Sequence, residues 1–354
     1  MKLLFHLGHP AHFHLFRNVI KHFINKGDKV FIVIKKKDVL EDLVKEAGLE
    51  YYNLLPEGRK DHLFGIALGQ LKQDFQLWKY CLKNKPELLI GSTPAVAHVG
   101  KLCNIRSINL SEDDAKAVML YAKITYPFSD VILSPVSCNN DKWDNKTTKY
   151  NSYHELAYLH PEHFTPDKEI ANQYVNTDET YFIIRFSKLN AYHDVGVQGI
   201  TTDVASELIG ILETHGKVYI TSEKEMPVKL RKYQIKINPK DMHHIMAFAS
   251  LYIGDSQTMA AEAGVLGTPF IRVNDFVGKL GYLNELENKY QLGYGIKPDK
   301  VDQIFEIVQK LLANDHLKSE YAKKREIMLK DKLNFSIYLI DFIDNYMSLK
   351  KKNV

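Results

Sequence analysis

Residues 251–273, LYIGDSQTMAAEAGVLGTPFIRV, decide the fold. Leu251–Ile253 is a short apolar run that reads as a buried strand, and Gly254-Asp255-Ser256 is a turn. Thr258–Val265 follows as a helix of small residues, and Gly267-Thr268-Pro269 leads into a second strand, Thr268–Val273. Strand, turn, helix and strand in that order make a parallel unit. A helix that starts at the carboxyl end of a strand aims free amides and the positive end of its dipole outward, which favours an anion. Ser256 and Thr258 add hydroxyl donors, Ala260 and Ala261 allow close approach, and Glu262 offers a carboxylate one to two turns in. The same residues also fit an ordinary unit in which Asp255 or Ser256 caps the helix.

The alternation extends in both directions. Lys2–Leu7 reads as a strand ending at Gly8-His9-Pro10. The stripe Phe13, Phe16, Val19, Ile20, Phe23, Ile24 marks a helix over Phe13–Asn25, stopped by Gly27-Asp28. Lys29–Ile34, Glu87–Gly91, Arg106–Leu110 and Val131–Leu133 read as further strands, and Val39–Ala47 as a helix. The stretch Asn139–Asp167 is polar and proline-containing apart from ELAYL (155–159), and reads as a crossover between domains. Alternation then resumes with strands Tyr181–Arg185, Lys217–Thr221 and Gln234–Ile237 and a helix over Thr202–Thr214; Val301–Leu349 is helical. The expected fold class is α/β with two Rossmann-like domains, 1–160 and 161–330, and a terminal helix, 331–354, packing back on the first.

The 354 residues suffice for two cores, and a net charge of +4 is too mild for a dedicated nucleic-acid binder. It suits anionic substrates or an anionic membrane face. Cys81, Cys103 and Cys138 are far apart and read as reduced thiols. The opening MKLLFHLGHPAHFHLF has too short an apolar run for a signal peptide, and no stretch approaches the roughly 18 apolar residues of a membrane span. The chain is expected to be cytoplasmic. Its Lys350–Lys352 tail reads as a solvated end, with contact to anionic lipid at the inner face of the membrane as the rival reading.

Four strand ends bear candidate residues. In HLGHPAHFHLFRNV (6–19), Gly8, His9 and His12 lie at the end of the first strand, with His6 and His14 nearby. No carboxylate or cysteine accompanies these histidines, so metal binding is not expected. A histidine acting as general base, or donating to a phosphate or sugar hydroxyl, competes with a structural set. In YFIIRFSKLNAYHDVGVQGI (181–200), Arg185, Ser187, Lys188 and His193 follow a strand and suit a diphosphate; Gly196 and Gly199 suit a loop that closes on a ligand. In INLSEDDAKAV (108–118), Ser111-Glu112-Asp113-Asp114 reads as a helix start, by capping or by supplying a base. GSTPAVAHVG (91–100) is another strand-end turn. Met242-His243-His244-Ile245 reads as a short helix, and either histidine could line a site.

Taken together, GHPAHFHLFRNVI, HELAYLHPEHFTPD, IIRFSKLNAYHDVGVQGI and GDSQTMAAEAGVLGTPFI resemble the successive blocks of a prokaryotic family of unknown function within the GT-B clan. That clan also holds the UDP-GlcNAc 2-epimerases and the GlcNAc transferase that makes lipid II. The resemblance implies two Rossmann-like domains facing each other across a nucleotide-sugar cleft, with C-terminal helices crossing back. It implies that Glu262 holds a ribose and that Ser256, Gln257 and Thr258 hold a diphosphate. The run GDSQTMAAE departs from the relatives' glycine-rich turn, and Asp255 adds negative charge there. Gly8-His9-Pro10-Ala11 is similar to the transferases' first glycine turn without its second and third glycines. Asp113 and Asp114 match the epimerases' catalytic acids in position only.

Three functions are then open. The first is a glycosyltransferase of surface-polysaccharide synthesis, with a nucleotide-sugar such as a UDP-sugar as donor and a saccharide or lipid-linked acceptor. It would need neither metal nor other cofactor: Arg185, Lys188 and the helix start near Ser256 would offset the leaving diphosphate, and His12 or Asp113 would deprotonate the acceptor. The second is a UDP-HexNAc 2-epimerase working by elimination and readdition of UDP. The third is a GT-B-like protein that binds a sugar nucleotide or polymer without turning it over.

Overall fold

The computed structural model describes residues 1–37, 39–58, 63–187, 199–223 and 225–351, without the side chains at 63, 64, 350 and 351. The chain divides into two compact units, Met1–Tyr158 with Leu333–Val354, and Leu159–Lys332.

The first unit is built on a seven-stranded parallel sheet. Its strands are β1 (Lys2–Leu7), β2 (Lys29–Ile34), β3 (Tyr52–Asn53), β4 (Leu88–Gly91), β5 (Arg106–Leu110), β6 (Val131–Pro135) and β7 (Thr147–Tyr150), in the order β3-β2-β1-β4-β5-β6-β7. Helices α1 (Pro10–Asn25), α2 (Leu40–Glu46), α3 (Leu63–Asn84), α4 (Pro94–Cys103) and α5 (Met119–Thr125) connect them. Central strands are apolar on both faces: Leu3, Leu4, Phe5, Leu88, Leu89 and Ile90 are fully buried, as a helix-covered parallel sheet requires. The strand order reverses between β1 and β4, which places the carboxyl ends of these two strands at the topological switch point.

The second unit repeats the logic on a five-stranded parallel sheet, β12-β11-β10-β8-β9. It comprises α6 (Lys168–Asn172), β8 (Tyr181–Phe186), α7 (Thr202–Leu212), β9 (Lys217–Ser222), α8 (Met242–Phe248), β10 (Leu251–Gly254), α9 (Gln257–Leu266) and β11 (Phe270–Val273). It continues with α10 (Gly281–Asn284) and its π-helical extension Glu285–Lys289, then β12 (Gly293–Ile296), α11 (Val301–Leu312) and α12 (Leu317–Asp331). Its switch point lies between β8 and β10.

The last helix, α13 (Phe335–Lys351), belongs to the first unit. Lys26 Nζ pairs with Asp344 at 2.6 Å, Arg106 Nη1 donates to the Tyr346 carbonyl at 2.7 Å, and Ser336 Oγ donates to the Ala157 carbonyl at 2.7 Å.

Three local expectations change. The alternating QIKI run, Gln234–Ile237, forms no strand: it follows a 3-10 turn over Val228–Tyr233 and pairs with β9 through a single bridge, Ile220 to Gln234, before Asn238-Pro239 turns the chain away. The polar DKWDNKTTKY stretch is not all crossover, because Thr147–Tyr150 is the edge strand β7, hydrogen-bonded on one side only, where polar residues are tolerated. The acids after β5 do not start a helix. Ala115 N–H goes to the Asn139 carbonyl and Ala117 N–H to that of Asp114, so the segment turns and α5 begins only at Met119.

Candidate functional site

Each unit gathers its polar residues at the carboxyl edge of its own sheet. In the first unit the switch point is formed by Gly8 after β1 and Thr93 after β4. A Cβ at position 8 would sit 2.9 Å from Thr93 Cγ2, 3.4 Å from Lys35 Cε and 3.7 Å from His12 Cε1, so glycine is required by close approach. Thr93 is the N-cap of α4, yet its hydroxyl bonds His6 Nδ1 at 2.6 Å rather than the helix. Behind it, Asn109 donates to the Thr93 carbonyl at 3.0 Å and Ser129 donates to Asn109 at 3.0 Å, a buried polar ladder across β1, β4 and β5. Burial, then Lys35, pushes the His6 imidazole down to about 3.

His12 lies in the first turn of α1. Its Nδ1 accepts the Gly8 N–H at 3.1 Å, and burial holds its basicity well below the ordinary value, with the charges of His9, Lys35, His6 and His154 acting in the same direction. The neutral ring therefore carries its proton on Nε2 and acts as a donor; the single lone pair that a base would need is held by the backbone. His9 is exposed and caps α1, its Nδ1 accepting the Ala11 N–H at 3.2 Å. Asp113 sits half-buried after β5, and Asp114 Oδ1 accepts the Asn139 N–H at 3.0 Å.

Sequence reasoning passed over one pair. His154 follows β7, in the stretch read as crossover, and its Nδ1 lies 3.2 Å from Glu112 Oε2, which also accepts the His154 backbone N–H at 3.3 Å. Among the described residues its Nε2 is buried without a hydrogen-bond partner. Burial lowers this imidazole to about 4, against the raising charges of Glu155 and Asp113, so it is neutral at neutral pH. A carboxylate orienting Nδ1–H and leaving the Nε2 lone pair available is the arrangement of a general base. Ser92 Oγ and Ser137 Oγ, after β4 and β6, are likewise buried and unpartnered among the described residues. The only sequence signal for His154 was a histidine close behind a strand end, and the strand itself was hidden by its polar composition.

In the second unit, register sets Gly254 of β10 beside Arg185 of β8, and Arg185 beside Thr221 of β9. Arg185 Nη2 bonds Glu223, while its Nε, Thr221 Oγ1 and Ser187 Oγ are buried without partners among the described residues. The Ser187 N–H donates to Asp255 Oδ1 at 2.6 Å, and a Cβ at Gly199 would lie 2.5 Å from Asp255 Oδ2. Asp255 is thus turned toward the β8 loop, where it fastens two chain segments. Ser256 is the N-cap of α9, its Oγ accepting the Met259 N–H at 3.3 Å. Ser256, Gln257 and Thr258 are half-buried, whereas α9 is buried from Ala260 to Leu266. Glu262 is 5% exposed, and its Oε1 lies 3.0 Å from His243 Nε2. Lys188, His193 and Gly196 lie outside the described residues. Among the described residues no three His, Cys, Asp or Glu side chains converge as a metal site would need.

The chemistry available is therefore anion binding at the second unit's switch point and proton transfer at the first unit's. Comparison with solved structures gives whole-chain likenesses. The S. aureus MnaA–UDP structure matches with TM-score 0.68 at 11% identity over 99% of this chain and 98% of that one. UDP-GlcNAc 2-epimerase from Neisseria meningitidis bound to UDP-GlcNAc matches with TM-score 0.64 at 14% identity over 99% and 100%. Spinosyn forosaminyltransferase SpnP matches with TM-score 0.66 at 12% identity over 98% and 99%. At these identities the likeness establishes the fold, which is GT-B. Comparison with curated proteins finds no match. Residues 1–346 match the family described as "Protein of unknown function (DUF354)", and the chain belongs to that family.

Proposed function

We propose that this protein is a nucleotide-sugar-dependent glycosyltransferase of surface-polysaccharide or glycoconjugate synthesis, with the donor held by the second unit and the acceptor by the first. The observation that supports it is the row Gly254–Arg185–Thr221 beside the start of α9, where Arg185 Nε, Thr221 Oγ1 and Ser187 Oγ are buried without partners among the described residues. Buried polar atoms left unpaired are costly unless a ligand completes them. A diphosphate does so, accepting from Arg185, the hydroxyls and the first-turn amides of α9. In this reading Glu262, oriented by His243, holds the ribose, and UDP is the nucleotide.

The acceptor hydroxyl gives its proton to His154 Nε2, or to Asp113, and its oxygen bonds the anomeric carbon. The bond from that carbon to the diphosphate breaks, and the electron pair leaves on the phosphate oxygen. His12 Nε2–H donates to the acceptor or the donor sugar. Stabilisation of the leaving group falls to Arg185 and α9, with no cofactor in the scheme.

A second reading is a UDP-HexNAc 2-epimerase, favoured by the grouping of Glu112, Asp113 and His154 at one sheet edge, which supplies acid and base without an acceptor. Calorimetry with UDP and UDP-sugars tests the nucleotide site, and failure of every nucleotide to bind overturns both readings. Incubation with UDP-GlcNAc alone, followed by NMR, separates them: release of UDP with a 2-epimeric sugar supports the epimerase. Binding that survives alanine at both His154 and Asp113 with no loss of cellular phenotype would instead indicate a non-catalytic protein.

A further inference from the structure

Helices α3, α4 and α5 of the first unit share a face that leaves large apolar side chains exposed among the described residues. On α3, Leu68, Leu71, Phe75 and Leu82 fall within a narrow stripe and are 56%, 65%, 48% and 54% exposed. The stripe continues across a tie at His98 of α4. His98 Nδ1 pairs with Asp74 of α3 at 2.8 Å, its Nε2 bonds the Ile124 carbonyl of α5 at 2.6 Å, and its ring lies 5.2 Å from that of Phe128. Leu102, Leu120, Ile124 and Phe128 are also exposed. Eight large apolar side chains on one face exceed the scattered exposure of an ordinary surface.

The described helix residues of this face carry mostly positive charge, with Glu57 before α3 pairing with Lys72 at 3.8 Å. The three helices contain Lys72, Lys79, Lys83, Lys101 and Lys123, all exposed, and a single acid, Asp74, which is held by His98. Lys72, Lys79 and Lys83 flank the apolar stripe of α3 on the side away from α4, and Lys79 Nζ lies 4.4 Å over the Phe75 ring. Among the described residues no helix is long and apolar enough to cross a membrane.

We propose that this face docks on the surface of an anionic phospholipid bilayer, with the apolar side chains entering the headgroup boundary and the lysines meeting the phosphates. Helices that lie flat, apolar toward the bilayer and flanked by lysines whose stems follow the apolar surface, are the form of an interfacial anchor. A second copy of this chain is a poor occupant, because two such faces would oppose five lysines to five. The inference concerns where the protein sits and holds whichever sugar chemistry it performs.

The test is co-sedimentation of the full chain with vesicles of phosphatidylcholine alone and of equal parts phosphatidylcholine and phosphatidylglycerol. Binding about tenfold stronger to the anionic vesicles is expected, falling away at about 0.5 M salt. Leu71→Ser with Leu102→Ser, and separately Lys72→Gln with Lys123→Gln, should each weaken it about tenfold while the melting temperature is unchanged, since all four positions are exposed. Equal binding to both vesicles, or wild-type binding by both variants, overturns the proposal. So does a dimer in light scattering that the serine variant dissolves, or capture by a soluble acidic protein with no vesicle binding.

Discussion

His243 Nε2 and Glu262 Oε1 lie 3.0 Å apart, with both side chains buried, so a carboxylate on α9 is tied to α8. Removing one partner takes a buried hydrogen-bonding contact from the other in a medium that solvates it poorly. His243→Ala is expected to lower stability by about 2–4 kcal/mol, read as a shift in the urea midpoint. Glu262→Gln keeps a hydrogen-bonding group and should preserve most of the stability while weakening UDP binding about tenfold. Unchanged UDP affinity in that variant would leave Glu262 a purely structural residue.

The histidines of the first unit make its stability fall in acid. His6 is held near 3 by burial and His154 near 4, against an ordinary value of 6.5. As pH drops below 6.5 the unfolded chain takes up these protons first, so the contribution intact above 6.5 is lost progressively toward 3 to 4. Each residue contributes a slope of up to about 1.4 kcal/mol per pH unit. Urea unfolding at about pH 7 and about pH 5 should show the loss, and His6→Gln should reduce the slope by one proton's worth.

Two histidines of one unit have opposite assignments. His12 presents Nε2–H because Gly8 N–H occupies Nδ1, whereas His154 presents a bare Nε2 because Glu112 holds Nδ1. Nitrogen-15 shifts of the two rings should report opposite tautomers. His154→Ala should lower kcat by about 10²–10⁴-fold, and Glu112→Gln should lower it less while leaving KM nearly unchanged.

Gly199 lies against Asp255, and a Cβ there would sit 2.5 Å from Oδ2. Gly199→Ala should displace Asp255 from the Ser187 amide and cost about 1–3 kcal/mol, with nucleotide binding weakened in parallel. Thermal unfolding with and without UDP measures both effects.

The strands were legible where burial on both faces made them apolar: Lys2–Leu7, Lys29–Ile34 and Arg106–Leu110 agree residue for residue with β1, β2 and β5, and Leu251–Ile253 falls one residue short of β10. They were illegible at the edges. TTKY of β7 reads as crossover because an edge strand needs no apolar face, and QIKI misled because its period-2 pattern had no neighbour beyond one bridge. Candidate site residues were legible wherever they followed a strand, because a parallel sheet sends every carboxyl end to one edge. What no local pattern encodes is pairing at a distance. Glu112 and His154 are 42 residues apart, and Asp255 and Ser187 are 68 apart. The role of His12 turned on one backbone amide, which spacing does not reveal.

The first unit is not continuous along the chain: Leu333–Val354 returns to it after the whole of Leu159–Lys332. During synthesis, α1 and the aromatic rings around Tyr150 gain their partners on α13 only after the whole of the second unit has been made. Tyr150 and Phe335, whose rings end 4.3 Å apart, are separated by the entire second unit. The unit made second has all its residues contiguous and can close before the first is complete. Deleting α13 would therefore damage the unit built on β1, and not the one that directly precedes it in the chain.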